Sequence, residues 1–271
     1  MSNKIRLDAL MFEKRLAESR NKAQRMIMAG EVKVNGIVQL KPSYKTTSDA
    51  VIEVAEKQRF VSRGGLKLEP ALHKFGFTDL SEKICVDVGS STGGFTHCML
   101  VYGAEKIYAI DVGYGILHWK LRNNNRVVVM ERTNARYVES LPDPVDFVTI
   151  DASFISLRIL LPVIKKWFEN HGDVVALIKP QFEAGRKAAA KNDGVIRDRN
   201  VHRRVLQEML FFCQETGYEV VDLVQSSIKG PKGNIEFLVH LSIPFEATDP
   251  ERLEQMVDML IPKDEEPDSR G

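Results

Sequence analysis

The sequence is poor in the features that mark several large protein classes. It contains no run of about 18 apolar residues, so no membrane-spanning helix is expected. Its three cysteines, Cys85, Cys98 and Cys213, stand far apart inside apolar segments. That spacing excludes a disulfide framework and a zinc-finger pattern, and it implies reduced, buried thiols. The six histidines form no HExxH pair, which leaves a metallohydrolase unsupported and no metal site expected. A net charge of +1 argues neither for nor against nucleic acid, so only the distribution of charge is informative. Met1–Arg6 leads into a charged amphipathic stretch and not into an apolar signal core, and a cytoplasmic protein is expected.

A chain of 271 residues accommodates one full α/β domain and a small module. Residues 1–57 have the texture of the module. Leu7, Leu10 and Met11, then Ala23, Met26 and Ile27, recur at helical spacing, with Ser19 placed as an N-cap and Gly30 as a stop. Glu31–Val34 alternates, Asn35-Gly36 is a strong hairpin signal, and Ala50–Val54 alternates again. Up to residue 56, ten cations stand against seven acids, an excess of 10 − 7 = 3 that by itself describes a solvated face. The pattern is more specific than the charge: "SRNKAQRMIMAGEVKVNG", Ser19–Gly36, resembles the RNA-binding fold of ribosomal protein S-four. The resemblance implies a small α+β RNA-binding domain that grips structured RNA through phosphate contacts. Arg6, Arg15, Arg20, Lys22, Arg25 and Lys33 are its candidate RNA-binding residues, joined by Arg63 further on.

Residues 58–65 are polar and read as a linker, leading into a helix from about Leu66 to Phe75. Apolar β-rich runs follow at 84–88, 107–111, 127–130, 145–151, 174–179, 220–224 and 235–241, most of them separated by helical stretches such as 154–168 and 200–216. This alternation predicts an α/β, Rossmann-like, doubly wound sheet over residues 66–243. Only "QSSIKGPKGN" separates the last two strands, too little for a crossover helix, so the last strand is expected to run antiparallel. Residues 244–271 read as an acidic tail with one short helix.

Val86–Gly113 spells strand, glycine-rich turn, helix and a strand ending on an acid, the grammar of a nucleotide-like ligand site. No lysine follows Gly93-Gly94, which removes an NTP-binding P-loop. The turn Gly89-Ser90-Ser91-Thr92-Gly93-Gly94 lacks the G-x-G-x-x-G of a dinucleotide site. Asp87-x-Gly89-x-x-x-Gly93 instead resembles the first motif of S-adenosylmethionine-dependent methyltransferases, and Asp111 stands where an acid would accept the ribose hydroxyls. Asp87, Gly89, Ser90, Ser91, Thr92, Gly93, Gly94, Phe95, Asp111 and Asp151 are the expected binding residues for S-adenosylmethionine.

Asp151 and Lys179 each end a strand and Glu236 begins the antiparallel one, so all three fall on the ligand edge of the sheet. With Lys67 in "SRGGLKL" they reproduce, in order, the Lys-Asp-Lys-Glu tetrad of RNA ribose 2′-O-methyltransferases related to FtsJ. Together with "IKPQFEAGR" and "GVIRD", the chain resembles the hemolysin A (TlyA-type) family over nearly its whole length. The resemblance implies methylation of ribose 2′-hydroxyls in ribosomal RNA, on isolated RNA or on ribosomal subunits. A 2′-hydroxyl is a weak nucleophile that must lose its proton as it attacks, and a lysine accepts that proton only in its neutral form. Lys179 is therefore expected as general base or orienting group, steered by Asp151 and Glu236, with Lys67 as the second cation. Three rivals remain. Asp151–Phe154 is similar to the motif of base-nitrogen methyltransferases but lacks their two prolines. A membrane-lytic protein, which the family's name invites, lacks a suitable segment, and a non-catalytic RNA-binding factor has no need of the tetrad. Glu183–Asn200 reads as a mobile loop or a lid over RNA, and Phe95 and Phe154 as packing residues or as flanks to a ligand ring.

Overall fold

The computed structural model describes residues 4–54, 59–185, 194–230 and 232–262. The chain divides into two compact units, Met1–Gln58 and Arg59–Gly271.

The first unit starts with a short strand, β1 (Ile5–Arg6), and two helices, α1 (Leu7–Glu13) and α2 (Arg20–Met28). Ser19 caps α2 by accepting a hydrogen bond from the Lys22 amide, and Gly30, at φ 75°, turns the chain out of it. The strands β2 (Val32–Val34), β3 (Ile37–Val38), β4 (Lys45–Thr46) and β5 (Ile52–Val54) follow. Asn35 and Gly36 both take positive φ, 50° and 79°, so the β2–β3 connection is the tight hairpin expected of Asn-Gly. β5 pairs with the other side of β2, and β1 with β4. Leu7, Met11, Ala23, Ile27, Val32, Val34 and Ala50 form the core.

In the second unit, α3 (Gly64–Lys74) precedes β6 (Ile84–Val88), α4 (Gly94–Val101), β7 (Lys106–Ile110), α5 (Trp119–Arg122), β8 (Val127–Met130) and β9 (Phe147–Ile150). Then come α6 (Leu157–Ile164), β10 (Gly172–Ile178), α7 (Pro180–Glu183), α8 (Arg199–Glu215), β11 (Glu219–Gln225), β12 (Phe237–Ile243) and α9 (Pro250–Leu260). The strand order is β11-β12-β10-β9-β6-β7-β8. Every pairing from β10 to β8 is parallel, while β12 runs antiparallel to both β10 and β11, as the short connection requires. Both faces are covered, so β10 is apolar at successive positions: Val174, Ala176 and Ile178 face one core, Val175 and Leu177 the other. The connections diverge from β6 toward β7 on one side and β9 on the other, which opens a crevice beyond their carboxyl ends.

Two expected boundaries are corrected. Residues 58–65 are not a free linker. Phe60 is buried against Gly65, the Val61 amide donates to His97 Nδ1 at 3.1 Å, and α3 already begins at Gly64. A single aromatic residue, hidden among polar neighbours, draws the segment into the core. Residues 244–271 are not merely an acidic tail either. α9 buries Leu253, Met256 and Val257 at i, i+3, i+4 spacing against the sheet's core, and its Glu254 and Asp258 pair with Arg203 of α8.

Candidate active site

Lys67, Asp151, Lys179 and Glu236 come from four separate segments, and their head groups form one line. Glu236 Oε2 lies 2.6 Å from Lys67 Nζ, which lies 4.0 Å from Asp151 Oδ2; Asp151 Oδ1 lies 2.6 Å from Lys179 Nζ. Asp151 and Lys179 are the first residues after β9 and β10, and Glu236 immediately precedes antiparallel β12, so the sheet edge brings the three together. Lys67 arrives on α3, whose first turn touches the first turn of α4. A Cβ on Gly94 would stand 2.8 Å from the Gly64 Cα, so "SRGG" and Gly93-Gly94 are glycine-rich where two backbones meet. Lys67, Lys179 and Glu236 are buried while Asp151 is half-buried, and two cations balance two anions, the condition under which such groups tolerate desolvation.

The sequence did not single out the groups that brace this line. Lys179 Nζ also donates to Ser153 Oγ at 2.9 Å, and Gln181 Nε2 donates to Glu236 Oε1 at 3.4 Å. Glu183 accepts from Ser156 Oγ at 2.6 Å and from the Leu157 amide at 2.8 Å, tying the loop after β9 to the segment after β10. Burial raises the Glu183 carboxyl above its ordinary range, against the pull of those two hydrogen bonds. The helix expected from Phe154 starts at Leu157, because Ser156 is its N-cap. Phe154 is thereby left at φ 65° and 91% exposed, 5.2 Å from the ring of Phe182. Of the lid expected at 183–200, residues 186–193 lie outside the described residues.

Beside the tetrad lies the glycine turn. Gly89 takes φ 83°, and a Cβ there would stand 2.7 Å from the Asp151 carbonyl oxygen, so only glycine lets the turn press against the end of β9. The Gly89 and Ser90 amides donate to the Ile110 carbonyl at 2.9 and 3.1 Å. Ser91 and Thr92 are exposed, while Gly93 and Gly94 are buried where α4 begins. Asp111 accepts from the Ser91 amide at 2.8 Å and the Gly113 amide at 2.7 Å, one bond per oxygen, which leaves an acceptor position on each for a vicinal diol.

Two expected ligand contacts are corrected. Asp87 is wholly buried beneath the turn, where Oδ2 accepts from the Thr96 amide at 2.8 Å and the Thr96 hydroxyl at 2.6 Å. It braces α4 from below, and burial pushes its carboxyl up to about 7. Its other oxygen, Oδ1, is buried with no hydrogen-bond partner among the described residues. Phe95 points into the core with Leu68 and Met99, because it sits on the inward face of α4.

In the first unit, Arg6 and Arg20 converge on Asp8, at 3.0 and 3.4 Å, and Gln24 donates to the same carboxylate at 2.7 Å. The Arg6 hydrogen bond, ahead of those from Gln24 and the Arg20 charge, holds the Asp8 carboxyl well below the usual range. Arg15, Arg25 and Lys33 are exposed and Lys22 is half-buried. Arg63 belongs to the second unit; its guanidinium donates to the Lys229 carbonyl at 3.1 Å, and nearby Gly230 is packed against the Glu236 carboxylate.

A mixed seven-stranded sheet with a glycine turn, a strand-end acid and a polar cluster at the switch point has the architecture of a Rossmann-like methyltransferase domain. Residues 60–243 match the FtsJ-like methyltransferase model and residues 5–52 the S4 domain. The chain belongs to the hemolysin A (TlyA-type) family of FtsJ-like methyltransferases. It is 49% identical to YqxC of Bacillus subtilis, over 93% of this chain and 90% of that one. It is 39% identical, over 89% and 91%, to the Mycobacterium tuberculosis protein named 16S/23S rRNA (cytidine-2′-O)-methyltransferase TlyA. A hemolysin-named structure from Streptococcus thermophilus is 41% identical, covers 96% of each chain and superposes with a TM-score of 0.69. Among the described residues no helix is long and apolar enough to cross a membrane.

Proposed function

We propose that the protein transfers a methyl group from S-adenosylmethionine to ribose 2′-hydroxyls of ribosomal RNA. The observation that carries this reading is the line Glu236–Lys67–Asp151–Lys179 lying against the Gly89 turn, with Asp111 across the crevice. The donor's binding residues would be Gly89 to Gly93, whose backbone leaves room for it, and Asp111, whose free acceptor positions suit ribose hydroxyls. Bound there, S-adenosylmethionine supplies an electrophilic methyl group.

The remaining work belongs to side chains. As a neutral amine, Lys179 gives its two N–H bonds to Asp151 and Ser153, which leaves the nitrogen lone pair for the substrate hydroxyl. Lys179 orients that hydroxyl and takes up its proton. Asp151 fixes the amine, and Lys67, locked to Glu236, supplies the second positive charge beside the ribose. Phe154, exposed at the mouth, offers a stacking face for a base turned out of its helix.

The test is incubation of the purified chain with labelled S-adenosylmethionine and each ribosomal subunit, followed by mapping of alkali-resistant ribose positions. Label at ribose 2′-oxygens is expected, and label on bases, or none, defeats the reading. Lys179→Ala is expected to lower transfer by roughly 10²–10⁴-fold while donor binding by calorimetry is retained. Retained turnover in that variant removes Lys179 from the chemistry.

A further inference from the structure

On the β7–β8 side of the ligand edge lies a surface that the proposed reaction does not use. Tyr114, Trp119 and Tyr137 are 68%, 64% and 70% exposed there. Each ring has a cation against it: the Arg132 guanidinium 4.1 Å from the Tyr114 centroid, Arg136 4.4 Å from Tyr137, and Lys120 Nζ 5.9 Å from Trp119. Large aromatic rings are ordinarily buried, and three left in water beside cations need a reason.

The segments that follow β7 and β8 are joined at the strand ends. The Arg132 amide donates to the Gly113 carbonyl at 2.9 Å, the Gly115 amide to Glu131 Oε1 at 2.9 Å, and the Thr133 amide to the Asp111 carbonyl at 2.9 Å. Charge is concentrated here as well. Residues 112–123 and 131–137 contain Lys120, Arg122, Arg132 and Arg136 against the single acid Glu131, in a chain whose net charge is only +1. Glu131 is itself neutralised by Arg122 at 2.5 Å.

We infer that this face binds an unpaired stretch of RNA, its bases stacking on the three rings and its phosphates meeting the neighbouring cations. Rings interleaved with cations fit single strands, because every unpaired base has a free π-face, whereas a duplex presents little but phosphate. The inference rests on the reading of the chain as an RNA methyltransferase and adds that the RNA beside the modified nucleotide is open. Through the Thr133–Asp111 bond the surface adjoins the β7 end of the donor crevice.

The test uses the full chain and two labelled probes, an unpaired RNA oligonucleotide and a hairpin duplex of the same composition. For Trp119→Ala/Tyr137→Ala, affinity for the unpaired probe is expected to fall by about tenfold or more in fluorescence anisotropy. Duplex affinity and donor binding are expected to stay as in the wild type. Wild-type affinity of this variant for the unpaired probe overturns the inference. Arg136→Glu provides a second variant that leaves the rings in place: it is expected to flatten the salt dependence of binding to both probes, and an unchanged slope counts against the surface. A wild-type chain that neither binds RNA nor transfers methyl sinks the functional reading itself. Normal transfer with unaltered variant affinity sinks only this surface.

Discussion

Asp87 and Asp8 are both fully buried carboxylates, and their environments act on them in opposite directions. Burial raises Asp87 to about 7, so the folded chain keeps a proton that the unfolded chain releases near pH 4. The stabilisation from that proton is complete below about pH 4 and is lost as pH rises toward 7, by roughly 4 kcal/mol at most. Asp87→Asn removes this dependence, so its thermal stability relative to the wild type is expected to grow between pH 5 and pH 8; a constant gap would refute the assignment. Asp8, held low by Arg6 and Gln24, contributes above about pH 4 and loses its contribution as the solution becomes more acid. The cysteines are simpler. Burial pushes Cys85 and Cys213 up to about 12 and raises Cys98 as well, so no thiol is expected to react with a chromogenic disulfide until the chain unfolds. At this scale the meeting of Asp151, Lys179 and Glu236 was legible because each abuts a strand end, while Lys67 came with the resemblance to FtsJ-related enzymes. Ser153, Gln181 and Glu183 were not, because their importance lies in partners that only the fold supplies.

Among the elements, the contact of α3 with α4 determines where Lys67 sits. Gly94→Ala would place its Cβ against Gly64 and Gly65 and press α3 away, at an expected cost of about 1–3 kcal/mol. Methyl transfer by that variant is expected to fall further than its melting temperature explains, since Lys67 moves with α3. A variant with wild-type turnover would separate the helix contact from the site. The strands of the sheet were readable from their apolar runs, within a residue or two, and so was the antiparallel last strand from the brevity of its connection. Boundaries failed where one residue outweighs its neighbours: Phe60 in a polar stretch, Ser156 as a cap that delays α6, and three apolar side chains in an acidic segment that make α9 a core helix. Phe95 and Phe154 illustrate the same limit. Both aromatic residues follow glycine or small residues; its phase on α4 packs the first inside, and the second is left in solvent because it precedes the cap of α6.

For the whole molecule, the two units have separate cores, and the first is small enough for single residues to matter. Ile27→Ala is expected to destabilise that unit by about 2–5 kcal/mol and weaken RNA binding, while donor binding, measured by calorimetry, is retained. Loss of donor binding in that variant would show the two cores to be coupled. The second unit has a different dependence, which lies in its order of synthesis. β12 lies between β10 and β11 although it is the last strand made, so nothing can bridge those two until it is inserted. Glu236 enters with it, and the line of charges at the edge is completed only then. A nascent chain interrupted ahead of Phe237 exposes the unzipped flank of β10, apolar on both faces, to its neighbours on the polysome. Premature termination is therefore a hazard to protein quality control, since such a fragment is sticky as well as inert.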